Sequence, residues 1–356
     1  MSETTIAYQA LTKHLAKQNY VFVCPSPETQ GRVVEKRRSN VATEDAQNAY
    51  DFFGWNLSCT REALRSIIPD DIFERLHEAS VITQNDDKSY RSTIRVSNLY
   101  IPNLPSRDPD VSSLYYIHSS FPAASDSVFC GPDTYFFVGS LQTISRHLPH
   151  APSSIVDVCC GAGAGAIHMA RTYPQAKTLG LDLNPRALSL AEVNAQLAGV
   201  KVGFAESNLF ATVPEDLKHH GVDLIVSNPP YIASSTDGED LPIYADGGAG
   251  FGLDLSIRIV EEGMKILSST GVIVVYTGVA MPTANPGHDI FLEKLQQVEG
   301  ADLAEYTILH PDIWPEEIGK GAYADVGRIQ VVGAVLRRDA KGMEEAKKAS
   351  RRQWAV

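Results

Sequence analysis

The sequence predicts an α/β protein in which a mostly parallel β-sheet domain follows a smaller, mainly helical domain. The chain has 356 residues, more than one ordinary domain needs and enough for two. From Ser154 onward, short apolar runs alternate with amphipathic helical stretches, the pattern of βαβ units and of a parallel sheet covered on both faces. Before that point helical patterns dominate, and Pro149 and Pro152 interrupt the local structure between the two regions.

The N-terminal domain is assigned to residues 1–127, and Leu11 and Leu15 with their neighbours predict its first helix. Its other predicted elements are helices over Ala42–Phe53, Arg61–Ile68 and Ile72–Ala79 and strands over Ser92–Tyr100 and Ser113–Ser119. This order is typical of a small winged-helix unit. In an acidic chain we expect such a unit to serve packing or homodimerisation rather than DNA binding.

The sheet domain is assigned to residues 128–340 and a basic tail to residues 341–356. Its predicted strands are Ile155–Cys160, Lys177–Asp182, Lys201–Ala205, Val222–Ser227, Gly271–Thr277 and Arg328–Leu336. Its predicted helices are Gly165–Tyr173, Asn184–Leu197, Asp254–Leu267 and Asp289–Val298. The last strand follows a long connection that includes a predicted loop over Pro311–Gly327, and we expect it to be an antiparallel edge strand. Loops of that length are often functional lids.

Composition indicates which classes of partner the protein can bind and in which cellular compartment it works. The formal net charge of −12 disfavours a large nucleic-acid substrate, because an acidic surface repels phosphate. The five cysteines show no C-x-x-C spacing, so we expect neither a disulfide framework nor a metal site. We also expect no export signal and no membrane span, which together predict a cytoplasmic protein.

A glycine loop follows the first strand of the sheet domain and predicts a nucleotide-type cofactor. The loop glycines are Gly161, Gly163 and Gly165. Glycines let the backbone turn sharply and approach a ligand where a Cβ would collide. Asp157 is placed to accept hydrogen bonds from a positively charged amino group, and Asp182 to accept them from ribose hydroxyls. Ser207–Phe210 follows the third strand and offers a polar side chain to an adenine amino group. These features favour S-adenosylmethionine (SAM) over NAD.

The fourth strand runs into Asn228-Pro229-Pro230-Tyr231. Two prolines continue neither a helix nor a central strand, so they stiffen the loop and fix the direction of the asparagine. The Asn228 amide oxygen and the Pro229 carbonyl are two acceptors that a nitrogen bearing two hydrogens can bridge. Tyr231 supplies an aromatic face for a planar group or a cation. The loop therefore predicts an acceptor nitrogen held beside the cofactor.

These segments resemble the class I SAM-dependent methyltransferases with an N-P-P-Y loop, and most of all the release-factor glutamine N5-methyltransferases. Gly131–Tyr135 is similar to the P-D-T-E segment that those enzymes carry before their catalytic domain, and Ala245–Asp254 is similar to their D-G-G-x-x-G-L-D run. The resemblance covers roughly residues 128–338. Two positions depart from it, since Tyr135 replaces a glutamate and Asn208 stands where an aspartate is usual. The first 127 residues do not resemble that family's N-terminal domain.

The resemblance implies a Rossmann-like, seven-stranded, mostly parallel sheet and a cytoplasmic SAM-dependent transferase. Its acceptor would be an amide or amine nitrogen of a side chain or of a small molecule in a biosynthetic reaction. The implied cofactor residues are Asp157, Cys159, Gly161, Gly163, Gly165, Asp182, Leu183, Asn208 and Leu209. The implied catalytic residues are Asn228, Pro229, Tyr231 and Tyr135, and the substrate-binding residues are Asn228, Pro230, Tyr231, Asp133, Thr134 and Tyr244.

Two other functions fit the same residues. If the amine held by Asn228 were the α-amino group of SAM itself, attack on its own γ-carbon would close a four-membered ring and release methylthioadenosine. Azetidine-2-carboxylate synthases use a methyltransferase-like fold in this way. The other alternative is an rRNA N-methyltransferase, or a nucleic-acid-binding module, that uses the winged-helix-like N-terminus.

Overall fold

The computed structural model describes residues 3–40, 45–100, 114–234 and 241–341. The chain divides into two compact units: the first comprises Met1–Tyr135 and Glu192–Gly199, and the second Phe136–Ala191 and Val200–Val356. The domain division at residue 128 stays a prediction, and the predicted basic tail lies outside the described residues except for Lys341. None of the described helices is long and apolar enough to cross a membrane.

The first unit contains helices and two antiparallel strand pairs. Its helices are α1 (Glu3–Lys17), α2 (Pro27–Arg38), α3 (Arg61–Ile67) and α4 (Asp70–Glu78), and its strands are β1 (Ile82–Gln84), β2 (Tyr90–Ser92), β3 (Ile94–Asn98) and β4 (Tyr115–Ser119). Strand β1 pairs with β2, and β3 with β4. Helix α2 was not predicted; it begins where Ser26 caps the backbone N–H of Thr29 and Pro27 takes the first turn.

The helix predicted over Ala42–Phe53 differs from the structure. Within its described part, the only helical turn is the five-residue π-helix Tyr50–Gly54. Polar contacts favour this turn, because Asp51 receives hydrogen bonds from the Gln47 amide and the Arg37 guanidinium. Tertiary packing therefore overrides the helical pattern of the sequence there.

Helix α5 (Pro132–Leu141) contains the boundary between the units, after Tyr135. The second unit follows it with α6 (Ala164–Thr172), α7 (Pro185–Leu197), α8 (Glu215–His220), α9 (Asp254–Ile266) and α10 (Ile290–Leu295), of which α7 runs into the segment grouped with the first unit. Its strands are β5 (Ser154–Val158), β6 (Lys177–Asp182), β7 (Gly203–Glu206), β8 (Val222–Ser227), β9 (Ile232–Ala233), β10 (Asp246–Gly248), β11 (Leu267–Pro282), β12 (Ala301–Ile313) and β13 (Val326–Arg338).

Seven strands of the second unit form one sheet in the order β12-β13-β11-β8-β5-β6-β7. The strands from β11 to β7 are parallel, whereas β13 is antiparallel to both β11 and β12. Val156 and Val158 pack into the hydrophobic core on one face of β5, and Ile155 packs into the core on the other. A sheet with both faces buried is the predicted Rossmann-like fold, which is thereby confirmed.

Strand β12 was not predicted from the sequence either. It is an edge strand, its residues are mostly half-buried, and its pairing with β13 shifts register at three places. Each shift breaks the two-residue alternation by which a strand is recognised. Consequently the antiparallel strand expected at the edge, β13, lies one position inside it.

Candidate cofactor and acceptor site

The site is built at the carboxyl edge of the parallel strands, beginning with Asp157 on β5. Its carboxyl group is 1% exposed, and Oδ2 accepts a hydrogen bond of 2.6 Å from the backbone N–H of Ala166 in α6. The other oxygen, Oδ1, is buried and has no hydrogen-bond partner among the described residues. Burial raises the pKa of Asp157 to about 8. A buried oxygen left in this way requires a donor, and a cationic amino group supplies one.

The loop from Cys159 to Gly165 turns tightly between β5 and α6. Cys159, Gly161 and Gly163 all have positive φ, at 58°, 54° and 90°. A β-carbon on Gly161 would face open space, whereas one on Gly165 would lie 2.7 Å from Phe137 Cε1 and 2.8 Å from Asp157 Oδ2. Gly165 therefore lets α6 approach Asp157, and Gly161 leaves room for a ligand against the backbone.

Asp182 ends β6 and holds the glycine loop. Its Oδ2 accepts from the Gly161 N–H at 2.8 Å and its Oδ1 from the Asn184 N–H at 2.9 Å. Burial raises the pKa of Asp182. Each carboxylate oxygen keeps a further lone pair, which is what two ribose hydroxyls need. Leu183, the next residue, is 57% exposed and offers an apolar side chain for a base to cover.

The Ser207–Phe210 segment is tied to the same edge. The Ser207 N–H donates to the Asp182 carbonyl, and the Ser207 hydroxyl donates to the carbonyl of Leu209, which has a φ of 48°. The Asn208 side chain is exposed and Leu209 is buried. The structure thus brings the cofactor residues predicted after β5, β6 and β7 together on one edge.

Asn228 follows β8, the strand next to β5. Val158 pairs with Ser227, and the Ser227 hydroxyl donates to the Val158 carbonyl at 2.6 Å. Cys159 and Asn228 therefore directly follow two paired residues, and they lie side by side at the carboxyl ends of neighbouring strands. The Asn228 side chain is half-buried, and no described residue hydrogen-bonds to its amide. Its amide is consequently available to a ligand.

The Asp246–Gly252 run packs its backbone directly on the N-P-P-Y loop. The Ile232 N–H donates to the Ala245 carbonyl, which aligns β9 with β10. A β-carbon on Gly247 would lie 2.5 Å from Tyr231 Cα, and one on Gly252 would lie 2.1 Å from the Tyr231 carbonyl oxygen. The glycines that this run shares with the D-G-G-x-x-G-L-D run of the family are therefore required for close packing on the N-P-P-Y loop.

Tyr231 is buried, with 7% of its surface exposed. Its ring covers Gly278, on which a β-carbon would lie 2.5 Å from Tyr231 Cδ2, and its hydroxyl accepts from Trp314 Nε1 at 2.9 Å. Tyr244 is half-buried in the turn before β10. Contact of either ring with a substrate stays a prediction.

The connection predicted as a lid is shorter and more firmly held than expected. Strand β12 continues to Ile313 and β13 begins at Val326, with two 3₁₀ turns between them. The Tyr323 hydroxyl accepts from the Ala233 N–H at 2.8 Å, beside the N-P-P-Y loop. Tyr323 was not predicted from the sequence, because no local pattern distinguishes it from other tyrosines. A segment anchored in this way supports the loop.

Asp133, Thr134 and Tyr135, predicted to bind substrate, belong to the first unit. Asp133 and Thr134 are buried. The Tyr135 hydroxyl accepts from the backbone N–H of Cys24 at 2.9 Å, and burial raises the Tyr135 pKa. A role for these three residues at the substrate stays a prediction.

In its fold and its glycine loop, the second unit is similar to class I SAM-dependent methyltransferases. Residues 138–308 match the family model of the methyltransferase small domain, which confirms the predicted class and its SAM cofactor. The chain is 34% identical over 171 residues to a release factor glutamine methyltransferase of Geobacter sulfurreducens, covering 42% of this chain and 57% of the relative. It is 29% identical over 141 residues to a ribosomal protein uL3 glutamine methyltransferase of Burkholderia pseudomallei, covering 36% and 46%.

The matches leave much of each chain uncovered. This chain spans roughly half the length of those two relatives. Among solved structures, the ribosomal protein L11 methylase of Lactobacillus delbrueckii subsp. bulgaricus is 17% identical with a TM-score of 0.36, covering 56% of this chain and 76% of that one. The relatives named here lend no support to the cyclase alternative.

Proposed function

We propose that the protein is a SAM-dependent N-methyltransferase whose acceptor is a carboxamide or amine nitrogen, with a glutamine side chain as the first candidate. The names of the curated relatives, which are glutamine methyltransferases, support the choice of acceptor. The observation that carries the proposal is the Asn228 amide, which no described residue occupies and which leaves β8 beside the glycine loop.

The residues present fit the cofactor. The unpartnered Asp157 Oδ1 would bind its amino group, Asp182 its ribose hydroxyls, and Leu183 one face of its adenine. When bound, SAM supplies an electrophilic methyl group on a positively charged sulfur. Leaving groups of this kind need little assistance, so the protein contributes chiefly by positioning the two reactants.

Asn228 and Pro229 would position the acceptor. The Asn228 Oδ1 and the Pro229 carbonyl accept the two hydrogens of an –NH₂ group, which fixes the plane of that group and the direction of its lone pair. Pro229 lacks an N–H, and Pro230 restricts it to extended backbone, so the carbonyl direction is set before binding. Gly247 and Gly252 allow the Asp246–Gly252 run to pack closely against this loop.

The test is methyl transfer from labelled SAM to a library of glutamine-containing peptides, with SAM alone as a second reaction. We expect S-adenosylhomocysteine and methylated peptide in equal amounts. Asn228→Ala should lower kcat/KM by about 100-fold while the Kd for SAM changes little, because only the acceptor is misplaced. The matched control is Asn285→Ala, an exposed asparagine in a turn. Methylthioadenosine from SAM alone, or full activity of Asn228→Ala, would overturn the proposal.

A further inference from the structure

Three side chains that bind metals meet inside the first unit. The sulfurs of Cys24 and Cys130 and a ring nitrogen of His118 lie within 4.8 Å of one another, and all three residues are buried. Cys24 precedes α2, His118 lies on β4, and Cys130 precedes α5. No metal site was predicted from the sequence, because these residues are far apart along the chain and form no spaced motif.

We propose that this cluster binds one thiophilic metal ion, Zn²⁺ or Cu⁺, through the two thiolates and the imidazole. Sulfur ligands select these soft or borderline ions over Mg²⁺ and Ca²⁺, which require oxygen. Two cysteines and a histidine are an established ligand set for zinc. Binding releases the two thiol protons to solvent as the metal–sulfur bonds form.

The groups around the cluster are already held in place. His118 Nε2 hydrogen-bonds to Ser97 Oγ at 2.8 Å, and metal-bound histidines usually make such a bond through their second ring nitrogen. The Cys24 backbone N–H donates to the Tyr135 hydroxyl at 2.9 Å. The Cys24 thiol donates to the Cys130 carbonyl at 2.9 Å, and this bond is exchanged for the metal–sulfur bond when the thiol loses its proton. The three ligand atoms thus start close to their bound positions, which lowers the ordering cost of binding.

Charge indicates which ion fits better. The buried Arg95 guanidinium, which lies opposite His118 in the β3–β4 pair, is fixed by hydrogen bonds to the Gly54 carbonyl and Gln30 Oε1. Two thiolates and one guanidinium sum to −1, so a monovalent ion makes the cluster neutral and a divalent ion leaves +1. Because a buried net charge is costly, we expect Cu⁺ to bind more tightly than Zn²⁺.

A bound ion would link three separate segments of the first unit. It would join the chain before α2 and the chain before α5 to strand β4. Metal binding to such a site adds its free energy to folding. The expected role is therefore structural, and it is independent of the acceptor nitrogen.

The test uses the full chain, stripped of metal and kept reduced under anaerobic conditions. Equimolar Zn²⁺ or Cu⁺ is added, unbound metal is removed, and bound metal is measured by elemental analysis. We expect one ion per chain and a rise in melting temperature. Cys24→Ser and Cys130→Ser should lose both, whereas Cys59→Ser, which changes another buried cysteine of the same unit, should keep both.

X-ray absorption spectroscopy on the metal-loaded wild-type chain identifies the ligand atoms of the bound ion. This measurement tests the proposal even if a serine variant does not fold. Two sulfur ligands, at about 2.3 Å for zinc, are expected. A shell without sulfur, no uptake of either ion, equal uptake by Cys24→Ser, or a Cys24–Cys130 disulfide in freshly isolated protein would overturn the proposal.

Discussion

The backbone of Gly252 lies against the carbonyl group of Tyr231, so closely that a β-carbon on Gly252 would be 2.1 Å from the Tyr231 oxygen. Gly252 also has a φ of 81°, which side chains other than glycine adopt with strain. For both reasons, only glycine fits at this position without strain. The position of the N-P-P-Y loop therefore depends on a glycine about twenty residues further along the chain.

Gly252→Ala should misplace the acceptor loop while leaving the cofactor residues in position. The added methyl group meets backbone, which cannot yield without moving Tyr231. We expect kcat/KM for methyl transfer to fall by at least about 100-fold, because small displacements of reacting groups cost that much, and the Kd for SAM to change little.

The matched control is Gly300→Ala. Gly300 has a φ of 75°, but a β-carbon there meets nothing within 4 Å, so it carries the backbone strain without the collision. Its kcat/KM should stay close to that of the wild type. Equal losses in the two variants would mean that strain alone, rather than contact with Tyr231, explains Gly252.

The parallel part of the sheet and its site were predictable because each element has a local pattern. Strands β5, β6 and β8 are short apolar runs, and Asp157, Asp182 and Asn228 stand at their ends, where parallel strands place ligands. Strand β12 was not predictable, because its register shifts remove the alternation. The hydrogen bonds of Tyr323 and the Cys24–His118–Cys130 cluster depend on tertiary contacts that no spacing encodes.

Asp157→Asn should weaken SAM binding specifically. The neutral amide keeps the shape of the side chain but loses the charge that a cationic amino group pairs with. Hydrogen bonds between charged groups contribute about 1.5–3 kcal/mol, so the Kd should rise by roughly 10- to 100-fold by isothermal titration calorimetry. The melting temperature of the cofactor-free protein should not fall, because the variant removes a buried ionisable group. Asp302→Asn, which alters an exposed ion pair with Arg337, is the control and should bind SAM normally.

The pH dependence of SAM binding should follow Asp157. Burial raises the pKa of this carboxyl from 3.8 to about 8, so the cofactor-free protein holds a proton there at neutral pH. Pairing with an ammonium group requires the charged carboxylate, so binding releases that proton and affinity should rise by about tenfold per pH unit up to about pH 8. Above that, the α-amino group of SAM loses its own proton near pH ~8 and affinity should fall. A Kd that does not change between about pH 6 and about pH 8 would contradict this assignment, and Asp157→Asn should lack the rise.

Tyr323→Phe tests whether the connection after β12 supports the acceptor loop. The Tyr323 hydroxyl accepts a hydrogen bond from the Ala233 N–H at 2.8 Å and donates one to the Phe251 carbonyl at 3.4 Å. It therefore joins β9 to the Asp246–Gly252 run that packs on the N-P-P-Y loop. Removing the hydroxyl leaves the buried Ala233 N–H without this acceptor, which should lower the free energy of unfolding by about 1–3 kcal/mol. Because Ala233 follows the N-P-P-Y loop by two residues, kcat should also fall, with the Kd for SAM unchanged.

The control for this variant is Tyr306→Phe, which removes a hydroxyl bonded to Asp289 Oδ2 at 2.7 Å. Asp289 keeps its hydrogen bonds from Gln330 and from the Leu292 N–H, so this loss is confined to the β12 edge of the sheet. Stability is measured by urea unfolding and kcat by methyl transfer to the same acceptor. Tyr306→Phe should lower the free energy of unfolding without lowering kcat. Both hydroxyls are hydrogen-bonded, but only that of Tyr323 contacts β9. A fall of kcat in Tyr306→Phe as large as in Tyr323→Phe would therefore show that general loss of stability, and not the anchoring of β9, controls the rate.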